Sequence, residues 1–149
     1  MGTHFAGTEE EILALECYIK LSRAAESVAT RTNDHLRSYH LTISQFGVLE
    51  ALYHLGPMQS NQLADKILKS SGNLTMVIDN LEKRGFVQRS RREDDRRCVD
   101  IVLTANGRSL IESIFPQHVT GVVAAFNALS ATEQTELATL CRKLGLAQS

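Results

Sequence analysis

The sequence predicts a mainly α-helical chain with a small β-wing of two or three strands, and three features of its 149 residues lead there. Hydroxyl residues are followed three positions later by Glu or Gln at several helix-start positions, the reciprocal pattern in which each side chain satisfies a backbone N–H of the other. The apolar period changes from 3.6 to 2 at Phe86, where helical patterning gives way to alternation. Charge is sorted along the chain: the formal net charge is −1, yet Lys83 to Arg97 holds seven basic residues against three acidic ones. The length suits one domain, alone or with helical extensions. The longest near-continuous apolar run, Gly121 to Leu129, is well short of the roughly 18 residues a membrane span needs. Met1 to Gly7 lacks a charged-then-apolar signal pattern, so the expected location is cytoplasmic, with no membrane partner.

Thr8 with Glu11 opens a long first helix carrying Ile12, Leu15, Ile19 and Leu36 and ending near Tyr39 and His40. Thr42 with Gln45 opens the second, Ile43 to Leu55, with Leu41 and Phe46 at the staple positions around the cap. Gly56-Pro57 stops it. A third helix covers about Ser60 to Leu68. After Lys69-Ser70-Ser71-Gly72 comes a fourth, with Leu74, Val77, Ile78 and Leu81 on one apolar face and Gly85 at its end. Phe86 to Arg89 reads as a strand, Val99 to Leu103 as its partner, and Arg91 to Arg97 as the charged hairpin between them. Thr104 caps a fifth helix through Leu110, Ile111, Ile114, Val119, Val122, Val123 and Phe126, kinked at Pro116. Ser130 with Glu133 opens the last, with a stripe of Leu137, Leu140, Cys141 and Leu144.

A short helix, a tight turn, an amphipathic helix and a basic-tipped ribbon, in that order over Ser60 to Thr104, make a winged helix-turn-helix. On the fourth helix, the positions away from the apolar face are Gly72, Asn73, Thr75, Met76, Asp79 and Lys83. Their chemistry suits the major groove of DNA. Asn73 can pair with adenine, Thr75 offers a hydroxyl and a methyl, Met76 can touch a thymine methyl, and Gly72 permits close backbone approach. Ser70 and Ser71, with the free N–H groups of a helix start, suit phosphate oxygens. A guanidinium from the hairpin tip, such as Arg96 or Arg97, fits a narrow minor groove, and Asp95 can hold the fork of Arg97. The alternative at each place is a polar surface that merely meets solvent.

Leu41-Thr42 to Leu55-Gly56, Leu81-Glu82-Lys83-Arg84-Gly85-Phe86-Val87, and Asp95-Arg96-Arg97 leading to Leu103-Thr104 resemble the MarR family of bacterial transcription regulators. Asp95, Arg97, Leu103 and Thr104 meet that family's D-x-R-x(5)-L-T pattern, and Phe115-Pro116 and Leu129-Ser130 to Lys143-Leu144 resemble its terminal helices. The resemblance implies a homodimer whose first and last two helices interlock while two winged domains read a pseudo-palindrome in double-stranded DNA. It places the family's minor-groove arginine on Arg97 and its buttress on Asp95. The expected division is a helical dimerisation region, 1–40 with 105–149, around a DNA-binding domain, 41–104. A dimer is also wanted on physical grounds. The flanking helices carry more apolar surface than a small winged domain covers, and one recognition helix makes few contacts for specific affinity. Two positions depart from the pattern: Gln59 is a poor cap for which Ser60 substitutes with a shifted start, and His40 stands in place of a frequent glycine.

The resemblance further implies a small-molecule effector, with Cys17, Tyr39 and His54 as pocket candidates by analogy. Cys17, Cys98 and Cys141 are odd in number and far apart, which argues for reduced thiols and against a disulfide framework or sulfur-rich zinc site. A redox-sensing Cys17 is the alternative. Its register puts Leu15 at the family's sensing position, and only Lys20 lies one turn away, so the first expectation is three packing cysteines. His35 and His40 lack the partners of a metal site. No nucleophile motif, phosphate loop or metal signature is present, so neither an enzyme nor a cofactor is expected. A winged module that binds protein remains the other class.

Overall fold

The computed structural model describes residues 2–67 and 71–146, and of Ser71 and Gly72 the backbone. The elements are α1 (Glu9–Asn33), a 3-10 helix (Asp34–Tyr39), α2 (Ile43–Leu55), α3 (Ser60–Ile67), α4 (Ser71–Lys83), β1 (Val87–Arg91), β2 (Val99–Leu103), α5 (Ala105–Phe126) and α6 (Ala131–Leu146). All three expected capping boxes close in both directions. Glu11 N donates to Thr8 Oγ1 at 3.2 Å and Thr8 N to Glu11 Oε2 at 2.8 Å. The same pair of bonds measures 3.1 and 2.9 Å at Thr42–Gln45, and 3.2 and 2.9 Å at Ser130–Glu133. The second serves as the entry to α2, whose bounds are those read from sequence. Its staple residues Leu41 and Phe46 are both buried.

The first helix differs from expectation. It ends as an α-helix at Asn33 and tightens into 3-10 winding over Asp34–Tyr39. The segment Thr30 to Asp34 is poor in helix formers. Thr32 Oγ1 donates to Val28 O at 2.9 Å and Asn33 Nδ2 to Ala29 O at 2.8 Å, bonds that compete with helix propagation. Leu36 thus sits on the 3-10 turn rather than α1, and is buried. His40 closes the turn at φ 54°, the left-handed conformation expected of a residue in a glycine's place. At α3, Ser60 is already helical and Gln59 holds the cap position. Its N–H donates to Gln62 Oε1 at 2.9 Å, so half of a capping box forms without a capping hydroxyl.

The chain forms two compact units, His35–His118 and Met1–Asp34 with Val119–Ser149. The first is the winged helix-turn-helix, and it reaches beyond 41–104 because its core recruits Leu36 from the 3-10 turn and Ile111 and Ile114 from α5. Those side chains join Leu49 and Leu52 of α2, Leu63 of α3, Leu74, Ile78 and Leu81 of α4, and Val87 and Ile101 of the wing. β1 and β2 pair antiparallel from Val87↔Leu103 to Arg91↔Val99. The third strand reduces to one bridge, in which Ile101 N donates to Met58 O at 2.7 Å. Gly85, at φ 80°, turns the chain from α4 into β1. Thr104 Oγ1 donates to the Gly85 carbonyl at 2.6 Å and accepts from Gly107 N at 3.0 Å, so one hydroxyl caps α5 and ties it to that turn. A side chain at Gly107 would overlap the Phe86 carbonyl, so α5 can start here only on glycine.

The second unit has little interior of its own. Among its described residues, Thr32 and Ala125 alone are buried. Leu13, Tyr18 and Leu21 of α1, Val119 and Val123 of α5, and Leu137, Leu140, Leu144 and Leu146 of α6 are exposed. No described helix is long and apolar enough to cross a membrane.

Candidate nucleic-acid interface

The amphipathic pattern of α4 turns one face into the winged core and the other outward. Leu74, Ile78 and Leu81 are fully buried while Asn73, Thr75, Met76 and Lys83 are exposed, Met76 at 72%. An exposed methionine at mid-helix leaves water only by meeting another surface. Ser71 and Gly72 lie in the first turn of α4, which starts earlier than the sequence pattern suggested. Ser70 lies outside the described residues, with Leu68 and Lys69.

Asp79 belongs to this outward face and is exposed, but its carboxylate is engaged. Arg89 of β1 donates from Nη2 to Asp79 Oδ1 at 2.7 Å, from Nη1 to Glu82 Oε1 at 2.8 Å, and from its backbone N–H to Glu82 Oε2 at 2.9 Å. The backbone bond is the strongest influence lowering the Glu82 pKa, with the guanidinium adding to it. Desolvation works against the Arg89 charge, and the two carboxylates outweigh it, so its pKa is raised. Two further contacts hold α4. Gln45 Nε2 donates to Asn80 Oδ1 at 2.8 Å, and Arg84 donates to the carbonyls of His40 and Tyr39 at 2.8 and 3.2 Å while lying over the Phe86 ring. Sequence reasoning missed Arg84 and Arg89 as fasteners. The available signal for Arg89 was an Asp–Glu pair three apart on α4, followed by a lone inward cation in the next strand.

The hairpin tip is ordered around Asp95. Arg97 donates to Asp95 Oδ1 from Nε and from its backbone N–H, each at 3.1 Å, and from Nη2 to Oδ2 at 3.4 Å. The guanidinium bonds lower the Asp95 pKa first, and the backbone bond adds to this. The Arg97 side chain stays 92% exposed, so it is oriented without being covered. Arg91 donates to the Arg96 carbonyl at 2.9 Å and Arg92 pairs with Asp100 at 3.1 Å, which raises the Arg92 pKa. Arg96 is exposed at the tip. Asp95 and Arg97 therefore meet as the sequence anticipated, and the same structural unit carries both this tip and the outward face of α4.

The pocket candidates do not converge in the same way. His54 lines a cleft of about 450 Å³ between α2 and α3, with Ile43, Gly47, Glu50, Lys66 and Ile67 among its walls. Neither Tyr39 nor Cys17 lines that cleft. Tyr39 directs its hydroxyl toward Gln117 at 3.5 Å, and Cys17 belongs to α1 in the other unit. The expectation of three packing cysteines needs correcting at the two in the helical unit: Cys17 and Cys141 are exposed, whereas Cys98 of the winged unit is half-buried with Sγ 3.7 Å from Asp95 Oδ2. The reason is the small interior of the helical unit, where an apolar stripe does not imply burial within one chain. Lys20, the cation nearest in sequence to Cys17, is paired with Glu16 at 3.3 Å. No group of three metal-ligating side chains occurs among the described residues.

Comparison with known proteins completes the picture. The MarR family model matches residues 41–99. The chain is 36% identical over 139 residues to YkoM, an HTH-type transcriptional regulator of Bacillus subtilis (strain 168), covering 93% of this chain and 90% of the relative. It is 35% identical over 133 residues to MhqR, another HTH-type transcriptional regulator of that organism, covering 89% and 92%. Among solved structures, it is similar to BpsR of Bordetella bronchiseptica, whose DNA binding is regulated by 6-hydroxynicotinic acid. That likeness has a TM-score of 0.78 at 25% identity over 97% of this chain and 98% of the other.

Proposed function

The chain belongs to the MarR family of transcriptional regulators, and from that premise we propose that it binds double-stranded DNA as a homodimer, with α4 in the major groove and the wing in the minor groove. The observation that carries this is the pairing, within one unit, of an outward helix face bearing Asn73, Thr75 and Met76 with an exposed arginine already oriented by a carboxylate. Asn73 and Thr75 read base edges, Met76 meets a thymine methyl, and Ser71 and Gly72 at the start of α4, together with the Ser70 that precedes them in sequence, take a phosphate. Lys83 and Arg96 add backbone contacts, and Arg97 enters the minor groove. A pair held by Asp95 before contact loses less side-chain entropy on binding.

Within the region read from sequence as 1–40 with 105–149, the helical unit of 1–34 with 119–149 supplies the dimer contact. Its exposed apolar stripes on α1, α5 and α6 support that role, because a second copy is the symmetric partner always available to cover them. Two winged units then read a pseudo-palindrome. The protein works in the cytoplasm without a catalytic step, and a small molecule modulates it, as 6-hydroxynicotinic acid does for BpsR. His54, in the cleft between α2 and α3, is the pocket candidate best placed for this. The exposed Cys17 thiol favours a redox-responsive regulator as the second reading.

A gel-shift titration with the duplex upstream of the protein's own gene, at two salt concentrations, tests the DNA reading. Nanomolar binding that weakens steeply with salt is expected. A salt-independent constant, or no preference over an unrelated duplex, overturns it.

A further inference from the structure

A recognition helix that carries acid faces a difficulty at a polyanion. Asp79 and Glu82 lie three residues apart in the second half of α4, and the Asp79 side chain is 61% exposed. At neutral pH their two negative charges would stand on the same helix that presents Asn73, Thr75 and Met76. A Debye length at physiological salt is about 8 Å, so charges on one helical turn are felt by a phosphate contacting that turn.

The structure supplies one cation to both carboxylates. Arg89 reaches them from β1 with separate nitrogens of one guanidinium at 2.7 and 2.8 Å, and its backbone N–H takes the second Glu82 oxygen at 2.9 Å. This is bidentate bridging, in which a planar fork satisfies two acids at once and a lysine could not reproduce the geometry. The side chain is only 31% exposed, so it is spent on the acids rather than offered to solvent. The same bonds join the first wing strand to the last turns of α4.

We propose that Arg89 is a positioning residue for DNA binding: it offsets one of the two negative charges that Asp79 and Glu82 place on α4, without itself touching the duplex. The inference rests on the DNA-binding reading above. It assigns a role to a strand residue outside both the groove-facing helix surface and the wing tip. Asp79, read from its helical position as a groove-facing group, becomes the partner of Arg89 instead.

The test is fluorescence anisotropy of the full-length protein with a labelled duplex from upstream of its own gene, at about 50 and 200 mM salt. Arg89→Met should bind about tenfold more weakly at the lower salt, and the deficit should shrink at the higher salt as repulsion is screened. Adding Asp79→Asn and Glu82→Gln to Arg89→Met should return affinity to within about threefold of wild type, a rescue that a lost structural contact would not give. Should Arg89→Met fail to fold, as read by circular dichroism, the pair Asp79→Asn with Glu82→Gln and Arg89 intact gives the second reading. It leaves an uncompensated cation and should bind about threefold or more tightly at low salt. Arg89→Met binding within about twofold of wild type, a salt-independent deficit, a triple variant no better than the single one, or a double variant that binds no tighter, each overturns the role of Arg89 while leaving DNA binding intact. Failure of the wild-type protein to bind any duplex overturns the DNA reading and this role with it.

Discussion

The two units of the chain handle apolar surface in opposite ways. The winged unit buries apolar side chains from every one of its helices and from both strands in one cluster, while the helical unit, among its described residues, buries only Thr32 and Ala125. Both are rich in amphipathic helices, so composition does not separate them. The difference lies in connectivity. Short turns fold α2, α3, α4 and the wing back on one another, whereas α1 and α6 are long helices whose stripes find few partners in the same chain. A unit that encloses its own core is stable alone, and one that does not is built to meet another surface.

The largest expected effect falls on that second surface. For the homodimer proposed above, Leu140→Glu with Leu144→Glu should leave only monomer in sedimentation, since each exposed leucine that a second copy covers contributes about 1.5 to 3 kcal/mol. An unchanged sedimentation coefficient would break the contrast between the units. In the winged unit, Ile78→Ala should cost about 2 to 5 kcal/mol in urea or thermal unfolding, because a fully buried side chain leaves a cavity. Leu140→Ala should leave the unfolding of an isolated protomer nearly unchanged, and equal losses at the two sites would show that the helical unit also has a core.

Smaller effects sharpen the comparison at the interface and the caps. Arg97→Ala should weaken DNA binding by about 1 to 3 kcal/mol with the melting temperature unmoved, because the side chain is exposed. Unaltered affinity would remove its groove role. Thr42→Ala should lower stability by about 1 kcal/mol, since it opens the cap of a helix that is central to the winged core. Thr8→Ala, at the start of a helix with little buried surface, should show less in the same measurement.

The smallest effect concerns pH. The Asp95 carboxyl is held below its ordinary value of 3.8, first by the Arg97 guanidinium and then by its backbone N–H. A depressed carboxylate contributes order fully above its unfolded pKa and loses that contribution as pH falls through the folded one. The wing tip should therefore stay ordered throughout the neutral range and loosen only in acid. A carboxyl NMR titration should place Asp95 below an ordinary aspartate, and a midpoint at or above that value would dissolve the proposed buttress.

Local chemistry determined a large share of this protein from its sequence. Capping boxes act over three residues, and the stops at Gly56 and Gly85 depend on backbone freedom at single positions, so local sequence alone delimits α2. The Asp95–Arg97 pair was legible for the same reason, being two residues apart. Tertiary structure decided what depends on partners distant in sequence. Leu36 left the first helix for the winged core, Arg84 found the carbonyls of the 3-10 turn, and Arg89 claimed Asp79 from across the α4–β1 turn. The exposure of Cys17 and Cys141 belongs here too, because a helix period records which face is apolar and not whether the chain has anything with which to cover it.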